Sequence, residues 1–257
     1  MKIMQILIVF VIISSSGCKG PTGLDGAIGS QLKGDIFGYV DIYDVNGKPV
    51  IDRHGVYIQT EENLIGSLSD TSGRWTLKDL YAGIYTISAN KTGYTKASVS
   101  NFQFVGGGNA YFNSPLAIIE LPSFSIKSIS LTGNSTDSLG QQLAIDVNPP
   151  ASNGDTRSFF IVYGKVPTVA INTPDALITS QATYTYKTVG SASISLKNVI
   201  TNLKNNFGMQ SGDRAYAVVY PSSAHISNVG TYTDPITRKV IFTRFSAPFV
   251  AVNFQIP

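Results

Sequence analysis

Two patterns of apolar residues divide the chain. The first is a nearly unbroken run, Ile3-Met4-Gln5-Ile6-Leu7-Ile8-Val9-Phe10-Val11-Ile12-Ile13, preceded by Lys2 and followed by Ser14-Ser15-Ser16-Gly17. About a dozen apolar residues between a basic residue and a small-residue exit form a secretory signal, since a membrane-spanning helix needs about 20. The second pattern starts at Lys33 and runs to the end. Apolar and polar residues alternate there in short stretches, broken by Gly, Pro, Asn, Asp and Ser. Alternation with a period of two puts successive side chains on opposite faces of a strand. In residues 34–43, Ile36, Val40 and Ile42 share one face with Gly38, while Phe37, Tyr39, Asp41 and Tyr43 share the other. Residues 55–60 and 64–69 are the next strand candidates. Trp75 and Leu77 then point inward, followed by Tyr85, Ile87 and Ala89 on one face. Gly93-Tyr94 opens another strand, Gly106-Gly107-Gly108 breaks the pattern, and residues 111–121 close the set. Asn46-Gly47 and Asp70-Thr71-Ser72-Gly73 are turns by side-chain chemistry, because Asp and Ser bond back to the local backbone and Gly accepts positive φ.

Leu121-Pro122-Ser123 marks a boundary, after which alternation resumes. Leu143, Ile145 and Val147 share a face, and Phe159-Phe160-Ile161-Val162-Tyr163 is apolar on both faces, as a central strand is. Tyr184 and Tyr186 alternate with threonines, and Ile194 and Leu196 with serines. Tyr216, Val218 and Tyr220 follow, then Val240 and Phe242, then Val250, Val252, Phe254 and Ile256. One helix interrupts: Val199, Ile200, Leu203 and Phe207 form one face, with Asn198 as N-cap. Asn205-Asn206-Phe207-Gly208-Met209 reads as a polar connecting loop. The predicted fold class is all-β. Two tandem β-sandwiches of seven or eight strands each, residues 33–121 and 122–257, follow a signal peptide (1–17) and a short tether (18–32).

The tether carries four Gly-X-Y triplets, from Gly20-Pro21-Thr22 to Gly29-Ser30-Gln31. Four triplets with one proline are too few to hold a collagen triple helix alone. A flexible, extended tether is favoured over a trimerisation stalk.

Cys18 is the only cysteine of the 257 residues. Its place directly after Ser15-Ser16-Gly17 resembles the lipobox of bacterial lipoproteins, with Ser15 standing where a leucine is usual. That resemblance implies acylation of Cys18 (palmitate is the typical chain), cleavage before it, and anchoring in a membrane. Lys19 lacks the aspartate signal for inner-membrane retention, so the implied location is the cell outer membrane, on its periplasmic or its surface-exposed side. Acylation spends the only thiol, so no disulfide is expected and each sandwich depends on its own core.

A second resemblance lies in the order Gly38-Tyr39-Val40, Asn46-Gly47-Lys48-Pro49-Val50, Ser69-Asp70-Thr71-Ser72-Gly73-Arg74-Trp75, Leu80-Tyr81-Ala82-Gly83-Ile84-Tyr85, Thr92-Gly93-Tyr94. It is similar to the carboxypeptidase regulatory-like domain, a transthyretin-like sandwich common in Bacteroidetes surface proteins. In that family the domain is an accessory without catalytic residues. Residues 158–169, with Gly212-Asp213-Arg214-Ala215-Tyr216-Ala217-Val218, resemble fibronectin type III or immunoglobulin-like domains, with Tyr216 near the tyrosine-corner position.

Composition narrows the chemistry. Charged residues are 14% and the net charge is +3, without a Lys/Arg cluster, so nothing points to nucleic acid. His54 and His225 are the only histidines, neither at metal-ligand spacing from a second, so no metal site is expected. No Gly-x-Ser-x-Gly elbow, phosphate loop or paired carboxylates occur. Asp41, Asp44 and Asn46 lack the ligand count of a calcium loop. No cofactor is expected and the chain reads as non-enzymatic. What remains is the aromatic face of Phe37, Tyr39 and Tyr43. Such a face binds sugars by stacking or anchors a protein partner; the blander reading, that it packs against the second domain, a covering loop or the core itself, is favoured. The expected function is a lipid-anchored binding or assembly module for a glycan, peptide or envelope partner. The alternatives are a structural spacer or adhesion subunit, and an accessory lipoprotein of an outer-membrane nutrient-uptake system.

Overall fold

The computed structural model describes residues 32–113, 116–133, 140–171, 173–226, 229–233, 240–243, 245, 247–249 and 251–257. The signal run, Cys18, the Gly-X-Y triplets and Val250 lie outside the described residues.

The first half contains β1 (Lys33–Tyr43), β2 (Tyr57–Thr60), β3 (Gly66–Leu68), β4 (Arg74–Tyr81), β5 (Gly83–Asn90), β6 (Ala97–Phe104), β7 (Asn109–Tyr111) and β8 (Leu116–Ile119). One sheet runs β4-β1-β7, with β8 also on β1, and the other runs β3-β2-β5-β6. Strand β1 pairs antiparallel with β4 and parallel with β7 and β8. Ile36, Val40, Ile42, Trp75 and Leu77 from the first sheet meet Ile58, Tyr85, Ile87 and Ala89 from the second in one buried cluster. Two sheets face to face over an apolar layer make a β-sandwich.

Gly38 is what lets Trp75 into that layer. A Cβ at Gly38 would fall 2.6 Å from the Trp75 ring and 3.1 Å from Phe112 Cβ. Trp75 is fully buried and tilts against Phe112 at 5.8 Å. The turn before β4 is fixed by Asp70, whose Oδ1 accepts from the Ser72 hydroxyl (2.6 Å), Ser72 N–H (2.9 Å) and Arg74 N–H (3.0 Å). These donors, the Ser72 hydroxyl first, hold the Asp70 carboxyl below its ordinary pKa. Gly93 differs from its expected place at the start of a strand. It sits at positive φ in a turn closed by Tyr94 N–H to Lys91 C=O, and β6 begins at Ala97.

The second half contains β9 (Ser125–Thr132), β10 (Gln142–Asn148), β11 (Thr156–Gly164), β12 (Ala176–Thr185), β13 (Ala192–Ser195), helix α1 (Lys197–Phe207), β14 (Arg214–Ser222), β15 (Thr231–Thr233), β16 (Val240–Phe242) and β17 (Val252–Gln255). The sheets run β13-β10-β9 and β12-β11-β14-β17, with β15-β16 a separate hairpin. Leu143, Ile145, Phe159, Ile161, Ala217, Val219 and Phe254 fill the space between the two larger sheets. Strand β11 is buried on both faces. Its second face carries a further cluster of Phe160, Val162, Val169, Val218 and Tyr220, against which Tyr216 packs half-buried.

Helix α1 buries Val199, Ile200 and Leu203, the face its spacing predicts. Its N-cap is Leu196, not Asn198, and no side chain caps it. Ile200 N–H already bonds Leu196 C=O, so Asn198 lies inside the first turn. The expected polar loop is also corrected. Asn205 to Phe207 complete the helix, and Gly208 ends it at φ 66 with Met209 N–H on Leu203 C=O.

Gly38→Ala should destabilise the protein by about 1–3 kcal/mol, because the added methyl overpacks a rigid indole rather than a flexible chain end. A fall in the urea midpoint at unchanged m-value checks this, and an unchanged midpoint would show that Trp75 can move aside.

Tyr163 supplies a second prediction. It is fully buried, edge-on to Phe254 at 6.3 Å, and its hydroxyl has no hydrogen-bond partner of acceptable geometry. Burial pushes its pKa up to about 12, with Ser180 opposing weakly. Below pH 10 both states keep the phenol neutral. Above it the unfolded chain ionises first, so the native state holds the extra proton and stability falls as pH rises toward about 12. At pH 11, about one unit above the ordinary phenol value, Tyr163→Phe should remove about 1–2 kcal/mol of that alkaline loss. It should leave stability at pH 7 equal or higher, since an unmet buried hydroxyl is removed. Chemical denaturation at pH 7 and pH 11 measures both.

Candidate functional site

The inward row of β1 is committed to the core, so its outward row is Asp35, Phe37, Tyr39, Asp41 and Tyr43. Register then decides what stands beside each. Phe37 pairs with Thr76 and Tyr39 with Arg74 on β4, while Phe37 pairs with Tyr111 on parallel β7. The Phe37 and Tyr111 rings lie 5.4 Å apart at 47°, and the Arg74 guanidinium stands 5.8 Å from the Phe37 ring centre. Tyr39 is 40% exposed and Tyr111 52%. The result is an outward aromatic row with one cation over the Phe37 ring and with Tyr39 and Tyr111 open to solvent. Aromatic pairs and cation–π contacts of this kind contribute about 0.5–1 kcal/mol each, enough to fix ring orientation before a ligand arrives.

Tyr43 is not part of it. It lies six residues along the strand from Phe37, roughly 20 Å at about 3.3 Å per residue. Tyr43 lines a cleft of about 250 Å³ with Asp41, Val99, Leu116, Ile226 and Val229. That cleft lies where the second half meets the first. Ala224 N–H bonds Val45 C=O at 2.9 Å, the Ser223 hydroxyl donates to Glu120 C=O, and the Thr243 hydroxyl reaches Lys96 C=O at 3.4 Å. Phe37 and Tyr39 therefore stay together on an open face, and Tyr43 joins a junction. Tyr111 and Arg74 complete the platform and had no mark in the sequence, because only the pairing of β1 with β7 and β4 brings them there.

The polar candidates have other occupations. Asp41 pairs with Arg53 at 3.2 Å. Asp44 Oδ1 accepts from Asn46 N–H (2.9 Å) and Lys48 N–H (2.8 Å), as a hairpin turn requires. His54 Nδ1 stands 3.2 Å from an Asp52 oxygen, and His54 N–H is the main cause lowering the Asp52 pKa. Among the described residues, no three His, Cys, Asp or Glu gather to hold a metal. No helix among them is long and apolar enough to cross a membrane. The platform offers stacking surface and hydrogen bonds.

No family model and no curated protein matches the chain. Among solved structures, it is similar to a candidate carbohydrate-binding protein from Bacteroides uniformis at 13% identity, covering 87% of this chain and 99% of that one, with a TM-score of 0.29. A DUF3823 family protein from Bacteroides ovatus is similar at 15% identity over 88% of this chain and 100% of that one, with a TM-score of 0.29. A type II cohesin–X-dockerin complex from Acetivibrio cellulolyticus is similar at 19% identity, where the match covers 34% of this chain and 57% of that one, with a TM-score of 0.29.

Proposed function

We propose that the chain is a non-enzymatic, lipid-anchored envelope protein whose first sandwich binds glycan on its outer face. The observation that carries this is the row of Phe37, Tyr39 and Tyr111, with both tyrosines open to solvent and Arg74 over the Phe37 ring. Pyranose rings present C–H faces that stack on such surfaces, and the tyrosine hydroxyls and Thr76 supply hydrogen bonds around them. An open, shallow face suits a stretch of polymer rather than an enclosed small molecule. Residues 33–121 are assigned to the carboxypeptidase regulatory-like type and residues 122–257 to the fibronectin/immunoglobulin-like type, in keeping with an accessory role. Acylated Cys18 is assigned as the anchor in the outer membrane. One observation favours a second role beside this one. The hydrogen bonds from Ser223, Ala224 and Thr243 onto the first half suit a stiff spacer.

Affinity electrophoresis through soluble neutral polysaccharides (a glucan, a mannan and a xylan) tests the platform. At least one should retard the protein. The double variant Tyr39→Ala, Tyr111→Ala should weaken that retardation about tenfold, since each stacked ring contributes about 0.5–1.5 kcal/mol. Its melting temperature should change little, because both side chains are half exposed. Wild-type migration unaffected by every polysaccharide would refute the proposal.

Anchoring has its own test. Cys18→Ser should move the protein from the membrane fraction to the soluble fraction, or leave it as unprocessed precursor. Several acyl chains hold stably where one does not, so a processed Cys18→Ser protein that stayed on the membrane would contradict the anchor.

A further inference from the structure

The second sandwich has a groove on the face of its larger sheet. It measures about 380 Å³ and is lined by Phe160, Thr179, Gln181, Thr183, His225 and Phe242. Thr179, Gln181 and Thr183 alternate along β12, so all three project to the same side. Register sets Gln181 directly beside Phe160 on β11. Phe242, from β16, crosses over Phe160 at 5.6 Å. Phe245 stacks on Phe160 at 5.4 Å and meets Tyr220 at 5.0 Å, and the Tyr220 hydroxyl accepts from Ile171 N–H at 3.1 Å. The aromatic wall is thus braced from behind.

The amide of Gln181 is the informative group. Its Nε2 donates to Ser223 C=O at 2.9 Å. A carbonyl only accepts, so this bond fixes which end of the amide is nitrogen. The Oε1 atom is then left buried without a donor. A buried acceptor without a partner costs about 1–3 kcal/mol, and native proteins keep such groups chiefly where a ligand or water completes them.

The lining limits what that ligand is. Among the described residues, no Lys or Arg borders the groove, so none of them neutralises an anion. His225 stands there without a carboxylate or thiol among the lining residues, so a metal has no ligand set. A purely apolar guest would leave the Gln181 acceptor unmet and strip the threonine hydroxyls of water. A ligand with one apolar face and many hydroxyl donors satisfies the wall and the acceptor together. We propose that this groove binds a short neutral saccharide, one or two rings long, with a ring face on Phe242 and a hydroxyl donating to Gln181 Oε1. Its volume lies at the lower end of the roughly 300–1,000 Å³ of small-ligand pockets, which fits that length. The site is separate from the platform of the first sandwich and does not depend on it.

Calorimetric titration of the full chain carrying Tyr39→Ala and Tyr111→Ala removes the platform from the measurement. The probes are maltose, cellobiose, mannobiose, xylobiose and N,N′-diacetylchitobiose. At least one should bind at one site per chain, and Gln181→Met and Phe242→Ala should each weaken it about tenfold. Digalacturonate, which is anionic, should bind less well than the best neutral probe. Thermal melts identify any variant that fails to fold. Gln181→Met, close in size, decides the matter if Phe242→Ala does not fold. Failure of all five disaccharides to bind overturns the proposal, as does binding that Gln181→Met leaves unchanged or a preference for digalacturonate.

Discussion

The first half of the molecule depends on the alternation of β1. This strand pairs with β4 along one edge and with β7 and then β8 along the other, so three neighbours take their register from it. Its inward row of Ile36, Val40 and Ile42 is fully buried. A slip of one residue would exchange that row for Phe37, Tyr39 and Asp41, placing a carboxylate in the core. Burial of the aliphatic row therefore holds the aromatic row outside. Gly38 is part of the same constraint, since only a missing side chain leaves the slot that Trp75 occupies. The platform is a by-product of core packing.

The same strand also connects the two halves. Its far end carries Tyr43 to the place where Ile226 and Val229 come across, and the following turn offers Val45 C=O to Ala224 N–H. These contacts use backbone carbonyls that a sandwich edge would otherwise leave to water. The bond from Ser223 to Glu120 does double duty, because Ser223 also accepts the Gln181 amide through its carbonyl. The segment that joins the halves is thus the segment that orients the groove. Loss of the junction would be felt at Gln181 before it was felt in either core.

Much of this was legible in sequence, and the reasons are local. The faces of β1, the inward placement of Trp75 and Leu77, and the buried face of α1 follow from period alone. The turn at Asp70 to Gly73 follows from side chains that bond within four residues. What was hidden depends on distant partners. Asn198 is the better N-cap by propensity, yet the helix starts two residues earlier, at Lys197 behind Leu196, with Val199 and Leu203 buried, and propensity yields. Gly93 invites a strand or a turn equally until Tyr94 closes on Lys91. Tyr111 reaches Phe37 only through a parallel pairing, which requires a long crossover that no local pattern announces. Phe160 reads as buried on both faces, but the residues that cover its second face, Phe242 and Phe245, come from a separate stretch of chain.

The platform and the groove differ in how much of the binding cost is met in advance. On the platform the rings are oriented but half exposed, so a ligand gains stacking and little desolvation. In the groove the wall is braced by Phe245 and Tyr220, and Gln181 keeps an acceptor unmet, so a matching ligand relieves a penalty already present in the free protein. Two such faces, if both take the proposed glycan, also change the arithmetic for a polymer. Once one contact forms, the second becomes intramolecular, and its effective concentration is set by the spacing of the sites rather than by the bulk sugar. Under the proposed binding, the hydrogen bonds of Ser223, Ala224 and Thr243 would bear on affinity as well as on stability, because a loose hinge would spread the two faces over many separations and dilute the second contact.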